Sequence, residues 1–398
     1  MDIVLENAVL PNRPERWSIG IEGEQIAAVT QDKLDGRRRV DLDGLVVSPS
    51  FVDVHTHIDK CFTADRTPGI ARELDLRSAI TLIRQSKDTF SVDDVARRAS
   101  KALDWGLAAG IGAIRTHVDV DPFVQLRSVE AINEVRRRYG DRLSLQMVAH
   151  PQEGWFDAGD GFESGSRETV CQAMQAGADV VGGNVNATLW PSSPEAQVDE
   201  IFAFAKEFDA AIDIHLDNAD TSAAFTLPYV IQKTIETGWQ GRVAVSHIAS
   251  LAAVPDAQAA DTIDKLREAD VAVMVQPTRI RLTRVEEMLE AGVLVAVGTD
   301  NLRDAFVRHG RANPIRILLL LAQLIRRTTD ADLERLWLTI TDDAARAIGI
   351  SDYGIHEGAP ANLVVLDAGS IPHAVLHEAE PRLLLFRGAP VLDTGLLQ

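Results

Sequence analysis

The middle of the chain alternates between short apolar segments and longer amphipathic ones, and this alternation limits the possible folds more than any other feature of the sequence. Eight apolar segments occupy residues 51–57, 112–117, 143–150, 179–183, 210–216, 243–247, 271–276 and 293–300. Between them lie segments with the 3.6-residue period of a helix, such as 92–107, 128–139, 197–208 and 261–269. This pattern predicts parallel strands that are joined by helices and covered on both faces.

Eight such units within roughly 300 residues match the size of a (β/α)8 barrel with insertions. An open, doubly wound sheet is the alternative, but no glycine-rich phosphate-binding fingerprint follows any of the eight segments. We therefore predict a (β/α)8 TIM barrel for residues 48–354.

Both ends of the chain are predicted to form β structure. The segments 2–10, 19–29 and 40–47 near the start, and 361–366 and 383–392 near the end, are short and apolar or alternating. Strands at the two ends need partners, because unpaired strand edges invite aggregation. We predict that residues 1–47 and 355–398 together form one small β-sandwich domain beside the barrel.

The overall composition narrows the partners and the compartment. A net charge of −19 over 398 residues argues against nucleic acid or an anionic membrane as a partner. The longest apolar run, 317–322, is too short to span a bilayer. Two cysteines and the lack of a basic, apolar leader predict a cytoplasmic protein. Segment 315–325 is apolar on nearly all sides, which predicts burial within the chain or a subunit contact, and we expect a homo-oligomer.

Histidines and one aspartate stand at the predicted carboxyl ends of four strands. His55 and His57 end strand one, His215 ends strand five, His247 ends strand six and Asp300 ends strand eight. Residues two apart on a strand share a face, so His55 and His57 present their imidazoles together. The carboxyl ends of the strands form the active face of a (β/α)8 barrel. Imidazoles and a carboxylate at this face predict a divalent-metal site.

The expected roles follow from metal chemistry. His55, His57, His215 and one oxygen of Asp300 would hold a single Zn²⁺, with Fe²⁺ as the alternative, and leave one position for water. The metal would lower the pKa of that water toward about 7, so that hydroxide forms at neutral pH. Asp300 would take the proton and pass it to the leaving nitrogen. His247 would orient the hydroxide or stabilise developing charge; the alternative is an ordinary core histidine.

The stretch Ser-Pro-Ser-Phe-Val-Asp-Val-His-Thr-His-Ile-Asp-Lys at 48–60 resembles the metal-binding strand of the amidohydrolase superfamily. The longer string, with segments 112–120 and 146–154, resembles the cytosine deaminase branch and its N-alkylammelide hydrolase relatives. The resemblance covers most of the chain. It implies one metal ion, because dinuclear members of the superfamily carry a lysine at the end of strand four and 179–184 contains none.

The resemblance also implies substrate contacts. Gln152 corresponds to a glutamine that binds the amide edge of the ring in the family, although a surface-loop glutamine is the alternative. Cytosine deaminases carry a proton-shuttling glutamate where this chain has Asn218, which cannot carry a proton. Asp217 would compensate if its side chain turned inward. Lys60 is predicted either to contact the substrate or to form a salt bridge at the barrel rim.

The missing glutamate argues against plain cytosine deamination and, together with Asp59-Lys60 and residues 300–304, favours a resemblance to the N-isopropylammelide hydrolase subgroup. Four aromatic residues could stack on a flat ring: Phe62, Trp155, Phe156 and Phe306. The sequence thus predicts a metal-dependent hydrolase that cleaves a non-peptide C–N bond of a small N-heterocycle such as a pyrimidine or triazine. Ring opening of a cyclic imide or ureide is one alternative, and a non-catalytic scaffold on the same barrel is the other.

Overall fold

The computed structural model describes residues 1–66, 75–157, 164–190, 194–277 and 281–397, and within them the strands form two eight-stranded sheets. In chain order the strands are β1 (Ile3–Leu10), β2 (Arg13–Glu22), β3 (Gln25–Thr30), β4 (Arg38–Asp41), β5 (Val46–Pro49), β6 (Phe51–Thr56), β7 (Ile111–Asp119), β8 (Ser144–His150), β9 (Val180–Val185), β10 (Ala211–Leu216), β11 (Val243–His247), β12 (Val271–Val275), β13 (Val295–Val297), β14 (Leu363–Leu366), β15 (Pro381–Phe386) and β16 (Ala389–Asp393). The α-helices are α1 (Leu76–Ser86), α2 (Val92–Ala108), α3 (Arg127–Tyr139), α4 (Arg167–Gln175), α5 (Pro194–Glu207), α6 (Leu227–Thr237), α7 (Asp256–Glu268), α8 (Val285–Glu290), α9 (Pro314–Leu324), α10 (Asp330–Trp337), α11 (Asp342–Ala347) and α12 (Ile371–Leu376).

The strands β6 to β13 lie side by side in chain order and are parallel. The segment after β13 returns to β6, where the Asp300 amide donates to the His55 carbonyl at 2.8 Å. A parallel bridge between Thr56 and Asp300 extends this contact. The predicted (β/α)8 barrel is therefore confirmed, and all eight predicted strands are present, most with ends that differ by one or a few residues. Its closure places the first and last predicted metal ligands next to each other.

The helix α2 shows how the predicted amphipathic segments form. The Ser91 hydroxyl accepts a hydrogen bond from the Asp94 amide at 3.2 Å and so caps the first turn. Val95, Ala99 and Leu103 follow at four-residue spacing and are buried against the barrel. The prediction of a helix over 92–107 was correct to within one residue.

Barrel closure also brings the backbone of Gly298 against His55. A Cβ atom at position 298 would lie 2.6 Å from the His55 Cβ and 2.8 Å from the His55 carbonyl oxygen. We expect Gly298→Ala to push the two segments apart and to lower the free energy of unfolding by about 1–3 kcal/mol, measured by urea denaturation. The control is Gly369→Ala, where the only neighbour within 4 Å among the described residues is a backbone oxygen at 3.9 Å. Equal stability of the two variants would contradict this account of the closure.

The first sheet is assembled from both ends of the chain, in the order β16-β15-β14-β5-β1-β2-β3, with β4 beside β1. The strand β5 pairs antiparallel with β14 and so joins the two ends. Leu5, Ile19 and Leu385 belong to the separate core that this sheet encloses. The predicted β-sandwich from both termini is confirmed. The domain boundaries at 47 and 355 stay a prediction, and β5 crosses the first of them.

The apolar segment near residue 320 forms α9. Ile317, Leu318 and Leu321 are buried, and the helix packs on α10, α12 and the barrel strands β6 and β13. Burial within the chain therefore accounts for most of its apolar surface, while Leu320 and Leu324 stay 37% and 55% exposed. None of the helices in the described part of the chain has the length and hydropathy that crossing a bilayer requires.

Candidate active site

The four predicted metal ligands meet at the carboxyl end of the barrel. His57 Nε2 lies 3.2 Å from His215 Nε2, and Asp300 Oδ1 lies 3.6 Å from both His55 Nε2 and His57 Nε2. Ligand atoms around one tetrahedral zinc ion, each about 2.0–2.1 Å from the metal, are roughly 3.3–3.5 Å apart. Residues from strands one, five and eight are thus spaced as the ligands of a single ion would be.

The unpartnered atoms of this cluster also fit a metal. His55 Nε2 and Asp300 Oδ1 are buried and have no hydrogen-bond partner among the described residues. An unsatisfied buried polar atom costs about 1–3 kcal/mol, so such atoms usually have a partner. Burial lowers the pKa of His57 and of His215 well below the usual range, and neighbouring charged groups lower both further. Neutral imidazoles with a free lone pair are the form that binds metal. The donor set therefore fits a divalent ion.

The orientation of His55 is set from behind by Ser246 on β11. The His55 Nδ1 atom lies 2.9 Å from the Ser246 hydroxyl oxygen. When Nδ1 carries the proton and donates it to this oxygen, Nε2 keeps its lone pair toward Asp300.

We expect Ser246→Ala to weaken Zn²⁺ binding by about 10- to 100-fold, because the ring loses the partner that fixes its tautomer. Competition of the purified protein against a chelator would measure this change. The control is Ser144→Ala at the exposed start of β8. An unchanged zinc affinity of the Ser246 variant would show that the hydroxyl does not orient His55.

Asp53, two residues before His55, connects strand one to the segment that carries Asp300. Its carboxylate accepts hydrogen bonds from the Thr299 amide at 3.0 Å and the Thr299 hydroxyl at 2.5 Å. Burial raises the pKa of Asp53 to about 6, although the Thr299 bonds act in the opposite direction. Asp53 thus links the end of β6, where the predicted ligands His55 and His57 lie, to Thr299, which precedes the predicted ligand Asp300.

Two further histidines, His117 and His150, lie below the cluster. His117 Nε2 lies 3.2 Å from Asp213 Oδ1, and the other oxygen of Asp213 accepts a 3.1 Å bond from Arg115. Burial lowers the pKa of His117 to about 4. His150 stacks its ring 4.3 Å from that of His215. Three compact groups share histidines with the predicted set without being identical to it: His55, His57 and His117; His55, His215 and His247; and His57, Asp59 and Asp119.

His247 ends β11 at the mouth of the cluster. Its ring lies 5.0 Å from the His215 ring and 5.4 Å from the His55 ring, and it lines the cavity above them. The backbone of His247 has φ 72°, a left-handed conformation that is unusual for a residue with a side chain and is often found at functional sites. His247 is thus partly buried at a cavity wall, and its predicted role at the reacting atoms stays a prediction.

Side-chain amides surround the small cavity above the metal ligands. Gln152 and Asn218 both line it, as predicted. Three further amides line it that the sequence analysis did not select: Asn184, Gln276 and Asn301. The Asn218 Oδ1 and both polar atoms of the Gln276 side chain are buried without a partner in the described residues. Amides both donate and accept, which suits a ring with adjacent C=O and N–H groups.

Lys60 is fully buried and does not line this cavity. Its ammonium donates to Asp119 Oδ1 at 2.5 Å and to Gln152 Oε1 at 3.2 Å. The expected salt bridge is therefore present, but inside the barrel and not at its rim. Lys60 reaches the cavity through Gln152, whose side chain it holds.

A second lysine completes a buried charge network beneath Lys60. The Lys87 ammonium is 2.5 Å from Asp121, 2.9 Å from Asp119 and 3.1 Å from Glu153, and all of these side chains are fully buried. The sequence analysis did not find this network, because its members are spread over four segments between residues 59 and 153. It forms the floor beneath the end of strand one and the Gln152 loop.

Asp217 does not turn into the cavity. Its Oδ2 accepts from the amides of Thr226 and Leu227 at 2.7 and 2.9 Å, at the start of α6. Burial raises the pKa of this carboxyl to about 7. The expected compensation for Asn218 is therefore wrong, because the backbone amides of α6 draw the carboxylate away.

Of the aromatic candidates, only Phe306 lines the cavity among the described residues. Trp155 is fully buried and packs edge-on against Phe204 at 5.2 Å. Phe62 packs against Trp105 at 5.0 Å, on the far side of the loop that follows Asp300. Proximity along the sequence to the metal ligands did not distinguish stacking residues from core residues.

Comparisons with known proteins agree with this fold and site. The amidohydrolase family matches residues 38–392. The N-isopropylammelide isopropyl amidohydrolase of Pseudomonas sp. (strain ADP) is 30% identical, over 98% of this chain and 97% of its own length. The pterin deaminase of Rhizobium rhizogenes is 28% identical, over 90% and 83%.

Among solved structures, a 5-methylcytosine deaminase from Klebsiella pneumoniae with bound 5-fluorocytosine superposes with a TM-score of 0.90 and 27% identity, covering 98% of this chain and 97% of that one. The family match spans most of the sequence, and the structural match includes both the barrel and the terminal sheet. With its barrel, its terminal β unit and its cluster of histidines and aspartate, the chain belongs to the amidohydrolase family.

Proposed function

We propose that this protein is a metal-dependent hydrolase that cleaves a non-peptide C–N bond of a small N-heterocycle, such as a triazine or pyrimidine, and releases an amine or ammonia. The proposal depends on one observation: three imidazoles and a carboxylate converge beneath a cavity that is lined by side-chain amides. The relatives named above act on ammelide, pterin and cytosine rings, which supports this substrate class.

The metal would be held by His55, His57, His215 and Asp300, with Zn²⁺ as the proposed ion and Fe²⁺ as the alternative. When bound, the ion would act as a Lewis acid and lower the pKa of a water molecule. The Asp300 carboxylate takes a proton from the attacking water and delivers it to the departing nitrogen. His247, across the cavity mouth, donates to the oxygen on which charge develops.

The ring would be held by Gln152 and Asn218, with Gln276 and Asn301 on the opposite side. An amide pair reads adjacent C=O and N–H groups but carries no titratable proton. Deamination of cytosine needs a side chain that shuttles a proton to a ring nitrogen, and Asn218, at that position, cannot carry a proton. A ring whose hydrolysis needs no proton transfer to its own nitrogens is therefore the better substrate. Lys60 contributes indirectly, as a positioning residue that holds the Gln152 side chain.

The test is a substrate screen with zinc-loaded protein over N-isopropylammelide, cytosine, a pterin and a hydantoin. We expect one amine or ammonia to be released for each ring converted, and His55→Ala to abolish turnover. Product mass separates the alternatives, because ring opening adds one water and loses no nitrogen. Full activity in metal-free protein would exclude the proposal, and strong turnover of cytosine itself would overturn our interpretation of Asn218.

We also propose that the enzyme acts in the cytoplasm as a homo-oligomer, without nucleic-acid or membrane partners. The exposed Leu320 and Leu324 on α9 support a subunit contact, because large apolar side chains at the surface often mark an interface. Sedimentation of the purified protein and of a Leu320→Glu, Leu324→Glu variant tests this. A monomeric wild type would exclude the oligomer.

A further inference from the structure

A second and larger cavity lies on the far side of the loop that follows Asp300. Its volume is about 940 Å³. Its walls come from residues 62–66, from α2 and α9, and from residues 301–311. Residues 301–311 are here called the strand-eight loop. Eight lining side chains are cationic, namely Arg66, Arg97, Arg98, Lys101, Arg303, Arg308, Arg311 and Arg316. Two lining carboxylates, Asp65 and Glu378, oppose them. In a chain with a net charge of −19, this cationic cavity is a local reversal of sign.

Neighbouring carboxylates neutralise only part of the positive charge. Asp94, behind the wall, is shared by Arg66 at 2.9 Å, Arg97 at 2.5 Å and Arg98 at 2.8 Å. Arg98 is buried and also donates to backbone carbonyls, so its role is structural. A single carboxylate therefore compensates three guanidinium groups on this wall.

Two cations nearer the loop contact aromatic rings. The Lys101 ammonium lies 4.4 Å from the centroid of the Phe62 ring, and the Arg303 guanidinium lies 4.8 Å from that of Trp105. Such contacts orient a cation without neutralising it. Arg311 is exposed and forms no ion pair with any described residue. The cavity thus keeps several positive charges whose mutual repulsion an entering anion would relieve.

We propose that the cationic cavity binds a small molecule that carries a pyrophosphoryl group and that this anion activates the enzyme. Guanidinium groups bind phosphoryl oxygens through paired hydrogen bonds, and arginines predominate among the lining cations. A volume of about 940 Å³ is in the range of small-molecule sites. The half-buried Leu319 on α9 offers an apolar surface to the organic part of an ester.

The strand-eight loop connects this cavity to the active site. Asn301 lines both cavities, Phe306 lines the site, and Arg303, Arg308 and Arg311 line the cationic cavity. The loop is held to the opposite wall by two backbone bonds, from the Phe62 amide to residue 302 and from the Ala64 amide to residue 303, both 2.9 Å.

An anion between these walls would remove the repulsion between the loop arginines and the cations of α2. It would therefore hold the loop closed and keep Asp300 and Asn301 in place. The expected result is a rise in kcat/KM of about fivefold or more, within the usual range of coupling between sites.

Calorimetric titration of the zinc-loaded protein with pyrophosphate tests the binding without any substrate. We expect one pyrophosphate per chain, and an affinity that falls at least tenfold in a Lys101→Glu, Arg311→Glu variant. The matched control is Arg137→Glu on the exposed face of α3, which should bind as the wild type does. Thermal melts confirm that each variant is folded. ADP presents the same group as an ester, so its affinity relative to pyrophosphate distinguishes an esterified ligand from an inorganic one.

Three results would overturn the proposal. Binding that survives in the double variant would place pyrophosphate elsewhere, for example on the active-site zinc. A lack of binding with dissociation of an oligomer in the double variant would make the cavity a contact between copies of the chain. Binding without any change in kcat/KM would exclude activation. The heat of binding needs no turnover, so failure of the proposed hydrolysis leaves the binding test intact.

Discussion

Asp300→Asn is expected to lower kcat/KM for C–N hydrolysis by at least about 10³-fold. The substitution keeps the size of the side chain and its backbone contact with His55 but removes the group that accepts and returns the proton, a role worth about 10²–10⁴-fold. The loss should be in kcat, because an interaction made only in the transition state leaves substrate binding largely intact. Steady-state kinetics at saturating Zn²⁺ would measure it, so that weaker metal binding does not contribute.

The matched control is Asp209→Asn, since that carboxylate pairs with Arg242 at the surface and its side chain is 86% exposed. Its kinetic constants should equal those of the wild type. Zinc content, measured on the same samples, shows whether the Asp300 variant keeps its ion. A loss of less than tenfold in kcat for a zinc-replete Asp300 variant would move the proton-transfer role to another residue.

The fold could be predicted almost completely from the sequence, because each barrel strand is a continuous apolar run that only a covered parallel strand explains. The errors lie at the ends of elements. Segment 261–269 was predicted as a helix, whereas α7 begins at Asp256. Three of the five residues before 261 are alanines, which form only a weak apolar stripe, and Pro255 determines where the helix starts. Helix ends depend on such capping positions more than on periodicity.

The metal cluster could also be predicted, since histidines at strand ends stand out against an apolar background. The amides did not stand out, although Asn184, Gln276 and Asn301 occupy the ends of strands four, seven and eight. The rule that selected the histidines would have found them if it had been applied to every polar residue type. The amides were site residues that the sequence analysis did not select, whereas Asp217 was predicted to turn into the site and does not. Its place after strand five is that of a site residue, but the start of α6, brought close only by the fold, takes its carboxylate.

The buried charge network could not be predicted, because no local pattern connects Lys87 with Asp119, Asp121 and Glu153. The network also fixes where the Gln152 side chain lies relative to the metal ligands, because Lys60 donates a hydrogen bond to it. Lys60 and Lys87 share Asp119, and Lys60 bonds Gln152. The stability of the barrel and the geometry of the substrate cavity therefore depend on the same ion pairs.

Lys87→Met is accordingly expected to lower the free energy of unfolding by about 3–5 kcal/mol, the usual cost of removing one partner from a buried ionic group. Methionine fills a similar volume, but Asp121 and Glu153 would lose their cation in a site without solvent. Burial already raises the pKa of Asp59 to about 6 and that of Glu153 above its usual value. Without the ammonium these carboxyls would bind protons more readily in the folded than in the unfolded state. The variant therefore regains stability at low pH and loses it as the pH rises through the raised folded-state pKa values.

Urea denaturation of wild type and variant at about pH 5 and about pH 8 would measure both effects, with a smaller stability difference expected at the lower pH. The matched control is Lys265→Met on α7, where the ammonium pairs with Asp261 at 2.6 Å and its side chain is 54% exposed. Surface pairs of this kind contribute at most about 0.5 kcal/mol, so the control should unfold like the wild type at both pH values. A Lys87 variant as stable as this control would mean that the charges of Asp119, Asp121 and Glu153 are compensated without Lys87. A deficit that is the same at both pH values would mean that these carboxyls stay ionised in the folded variant.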